Sequence, residues 1–251
     1  MNGKNEDRMR EGSGDGRVAL VTGGTKGIGR AIVEDLLGGG FHVAFMARSA
    51  GEVEATEEEL AGTGPGRAMG IQGDVRDSGT CEDIVARVGE ELGGLDVLVN
   101  NAGVGRFAPI QDMSPDDWRV QIETNLNGVF FMSRAAVPLL KRSEDAWILN
   151  IGSLAGRNTF AGGAGYNASK FGLLGMTEAM MLDLRYEGIR VSLIMPGSVA
   201  TGFGQRPAED KAGWALTSQD VSRAVLDLLR YPGNAHPSRV ELRPSQPPKK
   251  K

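Results

Sequence analysis

Short apolar runs rich in β-favouring residues recur along this chain, at VALVTG (18–23), HVAFMA (42–47), AMGIQGD (68–74), DVLVNNAG (96–103), WILNIGS (147–153) and RVSLIMPG (190–197). Longer segments lie between them, such as GRAIVEDLL, TCEDIVARVGEEL and VQIETNLNGVFFMSRAAVPLL, with apolar residues three and four apart as on a helix. Strands that alternate with helices pair in parallel and leave the helices on the sheet's two faces. The runs are nearly unbroken, as expected when both faces of a strand are covered. A last short strand, SRVELRP, follows the helical segment SQDVSRAVLDLLRYP. The pattern therefore predicts an α/β fold, a doubly wound parallel sheet of about seven strands with helices on both faces.

The 251 residues, 40% hydrophobic and 24% charged, suit one domain with a sizeable core. With 28 basic against 32 acidic residues there is no global positive field to recruit nucleic acid or a membrane surface. Cys81 has no second cysteine to pair with, and His42 and His236 form no cluster at zinc-ligand spacing, so a reduced, cytoplasmic, metal-independent protein is expected. No apolar run approaches the ~18 residues of a membrane-spanning helix. Residues 1–16, polar and glycine-rich, read as a disordered arm, 17–243 as the single folded domain, and 244–251 as an extended basic tail.

The first strand runs straight into TGGTKGIGR, where a helix begins. Gly23, Gly27 and Gly29 allow a tight turn, close approach of backbone N–H groups to an anion, and packing of the helix start on the strand. Such a turn holds a pyrophosphate in a Rossmann-type sheet, although the spacing is G-x-x-x-G-x-G and a plain glycine loop is the competing reading. The end of the second strand carries MARSA, with no carboxylate for a ribose hydroxyl. Arg48 stands there and Lys26 lies inside the turn, two cations suited to a 2′-phosphate, with Thr25 and Ser49 beside them. The expected cofactor is NADP(H), unless those cations are solvated surface charges.

Tyr166 and Lys170 in GYNASKFG share one helix face. An ammonium near a phenol favours the phenolate and is expected to lower a pKa that is about 10 in free tyrosine. The pair then serves as an acid/base for an alcohol or carbonyl. Ser153 ends the strand WILNIGS, on the carboxyl edge of the sheet, where its hydroxyl can hold a carbonyl oxygen.

Taken in order, TGGTKGIG, GDV, NNAG, TNLNG, NIGS, YNASK and PGSVAT resemble the short-chain dehydrogenase/reductase family over nearly the whole chain outside the two tails. The resemblance implies that Gly23, Lys26, Gly27, Ile28 and Gly29 form the pyrophosphate and ribose turn, that Asp74 and Val75 contact adenine, and that Asn101, Ala102 and Gly103 pass along the cofactor. It implies Tyr166 as proton donor, Lys170 as its helper and a ribose ligand, Ser153 as the residue orienting the substrate carbonyl, and Asn125 as the site of a helix distortion that holds a relay water. Pro196, Gly197, Val199 and Thr201 would fix the nicotinamide carboxamide. Plainer roles compete at three positions: Asp74 as a turn cap, Asn125 as a polar break in a helix, and Asn101 as a partner of backbone groups. Asn100 is read as structural.

The function implied is NADP(H)-dependent reduction of a carbonyl to an alcohol, with 3-oxoacyl thioesters as first substrate class. General ketone or aldehyde reduction and alcohol oxidation are the alternatives within the enzyme class, and a non-catalytic nucleotide sensor the alternative outside it. The tail SRVELRPSQPPKKK departs from the apolar strand and glycine pair with which 3-oxoacyl reductases of the family close a tetramer interface. The lid, GFGQRPAEDKAGWALTS after Thr201, is short and predicts an open cleft. The helices holding LNGVFFMSRAAVPLL and FGLLGMTEAMMLDL carry more apolar residues than one buried stripe requires, and in the family they pair across a dimer axis, which implies a homodimer or homotetramer. The competing reading makes Met176, Met180 and Met181 core filler.

Overall fold

A computed structural model of the chain describes residues 16–205 and 213–248. The arm as far as residue 15, the lid residues 206–212 and the last three lysines lie outside the described residues. Seven strands form, β1 (Val18–Thr22), β2 (His42–Ala47), β3 (Ala68–Gln72), β4 (Val97–Asn100), β5 (Ala146–Ile151), β6 (Ile189–Pro196) and β7 (Arg239–Leu242). They make one parallel sheet in the order β3-β2-β1-β4-β5-β6-β7, with Leu20 level with Ala44 on one side and Leu98 on the other.

Seven α-helices accompany them among the described residues: α1 (Gly27–Gly38), α2 (Ala50–Leu60), α3 (Ser78–Leu92), α4 (Pro115–Ile122), α5 (Gly128–Leu140), α6 (Ala164–Leu184) and α7 (Ser218–Leu229). Alternate residues of a strand serve opposite layers. Ala19 and Val21 pack with Ile32 and Leu36 of α1, Val53 of α2 and Val221 of α7. Val18 and Leu20 pack with Ile84 and Val88 of α3 and Met132 and Ala136 of α5. Leu173 of α6 meets Leu193 and Met195 of β6 in a third cluster. Each such side chain, fully buried, contributes about 1.5–3 kcal/mol, which is why the central strands are largely apolar on both faces.

Two features of this frame create the site. The chain leaves β1 toward β2 and β3 and returns on the other side of β1 as β4. That reversal opens a crevice at the carboxyl ends of β1 and β4, the place where open parallel sheets bind ligands. The second feature is capping. Ser49 caps α2, Asp77 caps α3, Ser114 caps α4, and Thr217 with Asp220 forms a capping box on α7. The starts of α1 and α6 have no side-chain cap, and both lie at the crevice.

Residues 120–140 have helical spacing throughout, and the family resemblance implies a helix distortion at Asn125. Glu123–Asn127 form a π-helical turn between α4 and α5. The bulge is held by the buried amide of Asn125, whose Oδ1 accepts from Val104 N–H at 2.8 Å and whose Nδ2 donates to Val104 O at 2.9 Å and Ser169 Oγ at 3.0 Å. These bonds compensate for the helical pairing that a π turn disturbs.

Candidate active site

The glycine turn is shaped by steric need. Gly23 and Gly27 are left-handed, at φ 68° and 57°. A Cβ at Gly29 would lie 2.1 Å from the Gly23 carbonyl oxygen and 2.4 Å from Asn101 Nδ2, so no side chain fits there. Asn101 Nδ2 donates to Thr22 O at 2.9 Å and Gly23 O at 3.1 Å, while Thr22 Oγ1 accepts from the backbone N–H groups of Asn101 and Ala102, both at 2.9 Å. These bonds are those of the plainer role weighed for Asn101, tying the turn to the end of β4. Thr22 completes the tie, and only its place at a strand end hinted at it. The uncapped first-turn N–H groups of α1 face a cradle that accepts an anion, so the residues fit a dinucleotide pyrophosphate. Ile28 turns back onto the core.

At the far end of the turn, Lys26 Nζ stands 3.5 Å from Glu52 Oε1, and Thr25 Oγ1 donates to Glu52 Oε2 at 3.3 Å. Ser49 Oγ accepts from Glu52 N–H at 3.3 Å, so it works as a helix cap. Arg48 is exposed at the end of β2. Its charge reaches Asp74. Burial alone would raise the Asp74 pKa, but hydrogen bonds from the Arg76 side chain and backbone, with the charges of Arg76 and Arg48, hold it below the usual carboxylate range. Asp74 Oδ1 also accepts from Arg76 N–H at 3.0 Å, a turn-capping bond. Val75 is buried against Gly128. Sequence reading missed Glu52 and Arg76, since charged residues on a helix or after a turn usually mark a solvated surface.

The chemistry end is built from β5, α6 and the π turn. Ser153 follows β5 and caps a single 3₁₀ turn, its Oγ accepting from Ala155 N–H at 3.1 Å, and its hydroxyl lies near enough to the Tyr166 phenol to pull that group's pKa down. Lys170 is 6% exposed and donates from Nζ to Ile151 O at 2.9 Å, with Nζ 5.9 Å from the Tyr166 ring centroid. Ser169, between them, accepts from Asn125 and donates to Tyr166 O at 2.8 Å. Asn100 is structural as expected, donating to Ser133 Oγ at 3.0 Å and Asn150 Oδ1 at 2.8 Å. Asn150 continues the chain to Thr177 Oγ1 at 2.9 Å, tying β4 and β5 to α5 and α6 beneath the site.

One expectation is corrected. The phenol of Tyr166 is not lowered: burial pushes it up to about 12, against a smaller opposing effect of the Ser153 hydrogen bond. Burial also pulls Lys170 down to about 8. Desolvation of both groups outweighs their attraction across the pair.

Gly103 lies against Asn125, a Cβ there meeting Oδ1 at 3.3 Å. Beyond β6, Gly197 N–H donates to Leu242 O at 2.8 Å, Val199 bridges to Leu216, and Thr201 Cγ2 lies 3.6 Å from the place of a Gly27 Cβ. The loop that leaves β6 after Pro196 therefore closes against the glycine turn. Phe203, in the described part of the lid, packs 5.5 Å from Tyr166. The open-cleft expectation rests on a lid that runs on through 206–212, outside the described residues.

A profile described as short chain dehydrogenase matches residues 17–212. The chain belongs to the short-chain dehydrogenase family. It is 32% identical over 209 residues to the 3-oxoacyl-[acyl-carrier-protein] reductase of Escherichia coli, covering 83% of this chain and 84% of that protein. It is 34% identical over 229 residues to the D-beta-hydroxybutyrate dehydrogenase of Cupriavidus necator, covering 91% and 88%. Among solved structures, a metagenomic short-chain oxidoreductase in complex with NADP has a TM-score of 0.82 at 35% identity, covering 94% of this chain and 100% of that one. The alcohol dehydrogenase of Thermococcus sibiricus complexed with 5-hydroxy-NADP has a TM-score of 0.85 at 29% identity, covering 93% and 99%. Membership makes the chain an oxidoreductase.

Proposed function

We propose that this enzyme uses NADPH to reduce a ketone to a secondary alcohol, with 3-oxoacyl compounds as the first substrate class. The observation that carries the reading is Tyr166 beside buried Lys170, with the Ser153 hydroxyl near its phenol, at the same sheet edge as the glycine turn. NADP-bound neighbours and the names of the two curated relatives support it. When bound, NADPH supplies the hydride. Gly23, Gly27, Gly29 and the start of α1 would hold the pyrophosphate, Lys26 and Arg48 the 2′-phosphate, and Asp74 and Val75 the adenine side. Ala102 and Gly103 would line the path of the cofactor, and Pro196, Gly197, Val199 and Thr201 its nicotinamide end.

A phenol held near 12 is fully protonated at neutral pH, as a proton donor must be. Ser153 and Tyr166 would both donate hydrogen bonds to the substrate oxygen, and Tyr166 would give up its proton as negative charge grows there. The Lys170 ammonium would then stabilise the phenolate left behind. Asn125 would act by position, locking the loop at Val104 and Ser169 against the π turn.

Among the described residues beside the site, Arg106 pairs with Asp117 at 3.5 Å and Arg157 with Glu241. Phe130 and Phe171 stand exposed on α5 and α6, which supports a homo-oligomer, whereas Met176, Met180 and Met181 pack against the core. The test is NADPH oxidation, with NADH in parallel, against 3-oxo esters and thioesters, diketones and aromatic aldehydes. Turnover of a ketone with NADPH preferred supports the reading; cofactor binding without turnover of any of them rejects it.

A further inference from the structure

Three aromatic rings from three different loops gather around Tyr166. Phe107, after β4, lies 5.7 Å from the Tyr166 ring at an interplanar angle of 79°. Phe203, after β6, lies 5.5 Å from it at 56°. Phe160, before α6, lies 5.7 Å from Phe107 at 60°. Apolar residues this large are normally covered, yet Phe107, Phe160 and Phe203 remain 41%, 46% and 36% exposed. Arg106, next to Phe107 in the chain, is paired with Asp117 at 3.5 Å.

The cluster is fitted rather than loose. A Cβ at Gly204 would lie 2.4 Å from Phe107, one at Gly105 would lie 2.8 Å from Phe203, and one at Gly163 would lie 2.6 Å from Phe160. Each ring thus rests where only a glycine leaves space. The loops are also tied to one another and to α6. Ala108 N–H donates to Gly162 O at 3.0 Å, and buried Asn167 donates to Ala155 O at 2.7 Å and Asn158 O at 3.1 Å. An exposed apolar patch held rigid at a site that touches the proton donor marks a surface built for a ligand.

We infer that Phe107, Phe160 and Phe203 form an aromatic collar that selects ketones bearing a flat aromatic ring next to the carbonyl. This rests on the ketone-reductase reading above and specifies its substrate. Rings set edge-on and tilted to one another offer both faces and edges to a further ring, a geometry that rewards aromatic groups over saturated groups of equal size. An aliphatic chain gains only buried area there. The collar therefore discriminates by ring character, and 3-oxo esters are sorted by the group on their keto carbon.

The experiment compares kcat/KM for three 3-oxo esters with NADPH: ethyl benzoylacetate, its cyclohexyl counterpart, and ethyl acetoacetate. Phenyl and cyclohexyl ketones differ in intrinsic reactivity, so the readout is how their ratio changes between wild type and variants. Phe107→Leu and Phe203→Leu are each expected to lower the phenyl-over-cyclohexyl ratio about two- to tenfold, the range for loss of one aromatic pair. Phe107→Tyr, which keeps the ring, is expected to preserve it. A ratio that stays constant in both leucine variants while ketones are still reduced overturns the collar and leaves the reductase reading standing. Failure of the wild type to reduce any ketone overturns both.

Discussion

Replacing Lys170 by methionine should make the protein more stable while removing most of its activity. Lys170 is 6% exposed, and burial moves its pKa from 10.5 to about 8. At ~1.4 kcal/mol per unit, keeping that ammonium charged inside the fold at neutral pH costs about 3 kcal/mol. Methionine fills a similar volume without the charge, but it leaves Ile151 O without its donor, a loss of about 1 kcal/mol. The net expectation is a gain of about 2 kcal/mol, or a Tm higher by about 5 °C in a domain of this size. The pH dependence supplies the sharper test. Between pH 8 and 10.5 the unfolded chain holds the Lys170 proton and the folded chain has lost it, so wild-type stability rises with pH across that window. The gap between variant and wild type should be widest below pH 8 and should shrink by about 2 kcal/mol by pH 9.5. Thermal unfolding of both proteins at pH 6, 7, 8 and 9.5 measures it. A variant less stable than wild type at pH 6, or a gap that does not move with pH, would refute the account of Lys170 as a destabilising buried charge.

Two other outcomes follow from the site. In a pH profile at saturating NADPH, ketone reduction should hold below about pH 8 and decline above it, because Lys170 loses the charge that would stabilise the Tyr166 phenolate; a rate that climbs steadily to pH 10 would contradict this. Asn150→Ala removes partners of both Asn100 and Thr177 in a buried chain, so denaturant unfolding should show a loss of about 2–4 kcal/mol, and a change under 0.5 kcal/mol would show that the chain carries no weight.

Much of the fold was legible because burial on both faces writes strands as unbroken apolar runs. VALVT, HVAFMA and RVSLIMP could be read without reference to their neighbours in space. The chemistry was legible where it depends on short spacing, as with Tyr166 and Lys170 four apart on α6. What escaped depends on distance or depth. The helix distortion at Asn125 was expected only from the family resemblance of TNLNG, because the π turn at Glu123–Asn127 rests on bonds from Asn125 to Val104 and Ser169 that spacing does not reveal. The direction of the Tyr166 shift was misread because spacing reveals the neighbouring charge and not the loss of water around both groups. The Phe107, Phe160 and Phe203 cluster is spread over three loops, and only the sheet topology assembles it. Glu52 beside Lys26 was hidden in a helix rich in glutamate.

The most direct measurement compares wild type with Tyr166→Phe, recording NADPH binding by fluorescence titration and ketone reduction in the same preparations. If Tyr166 delivers the proton, the variant binds NADPH with an affinity within about threefold of wild type, as its ring is kept, while turnover falls by about 10²–10⁴. Undiminished turnover in the variant would contradict the account at its centre.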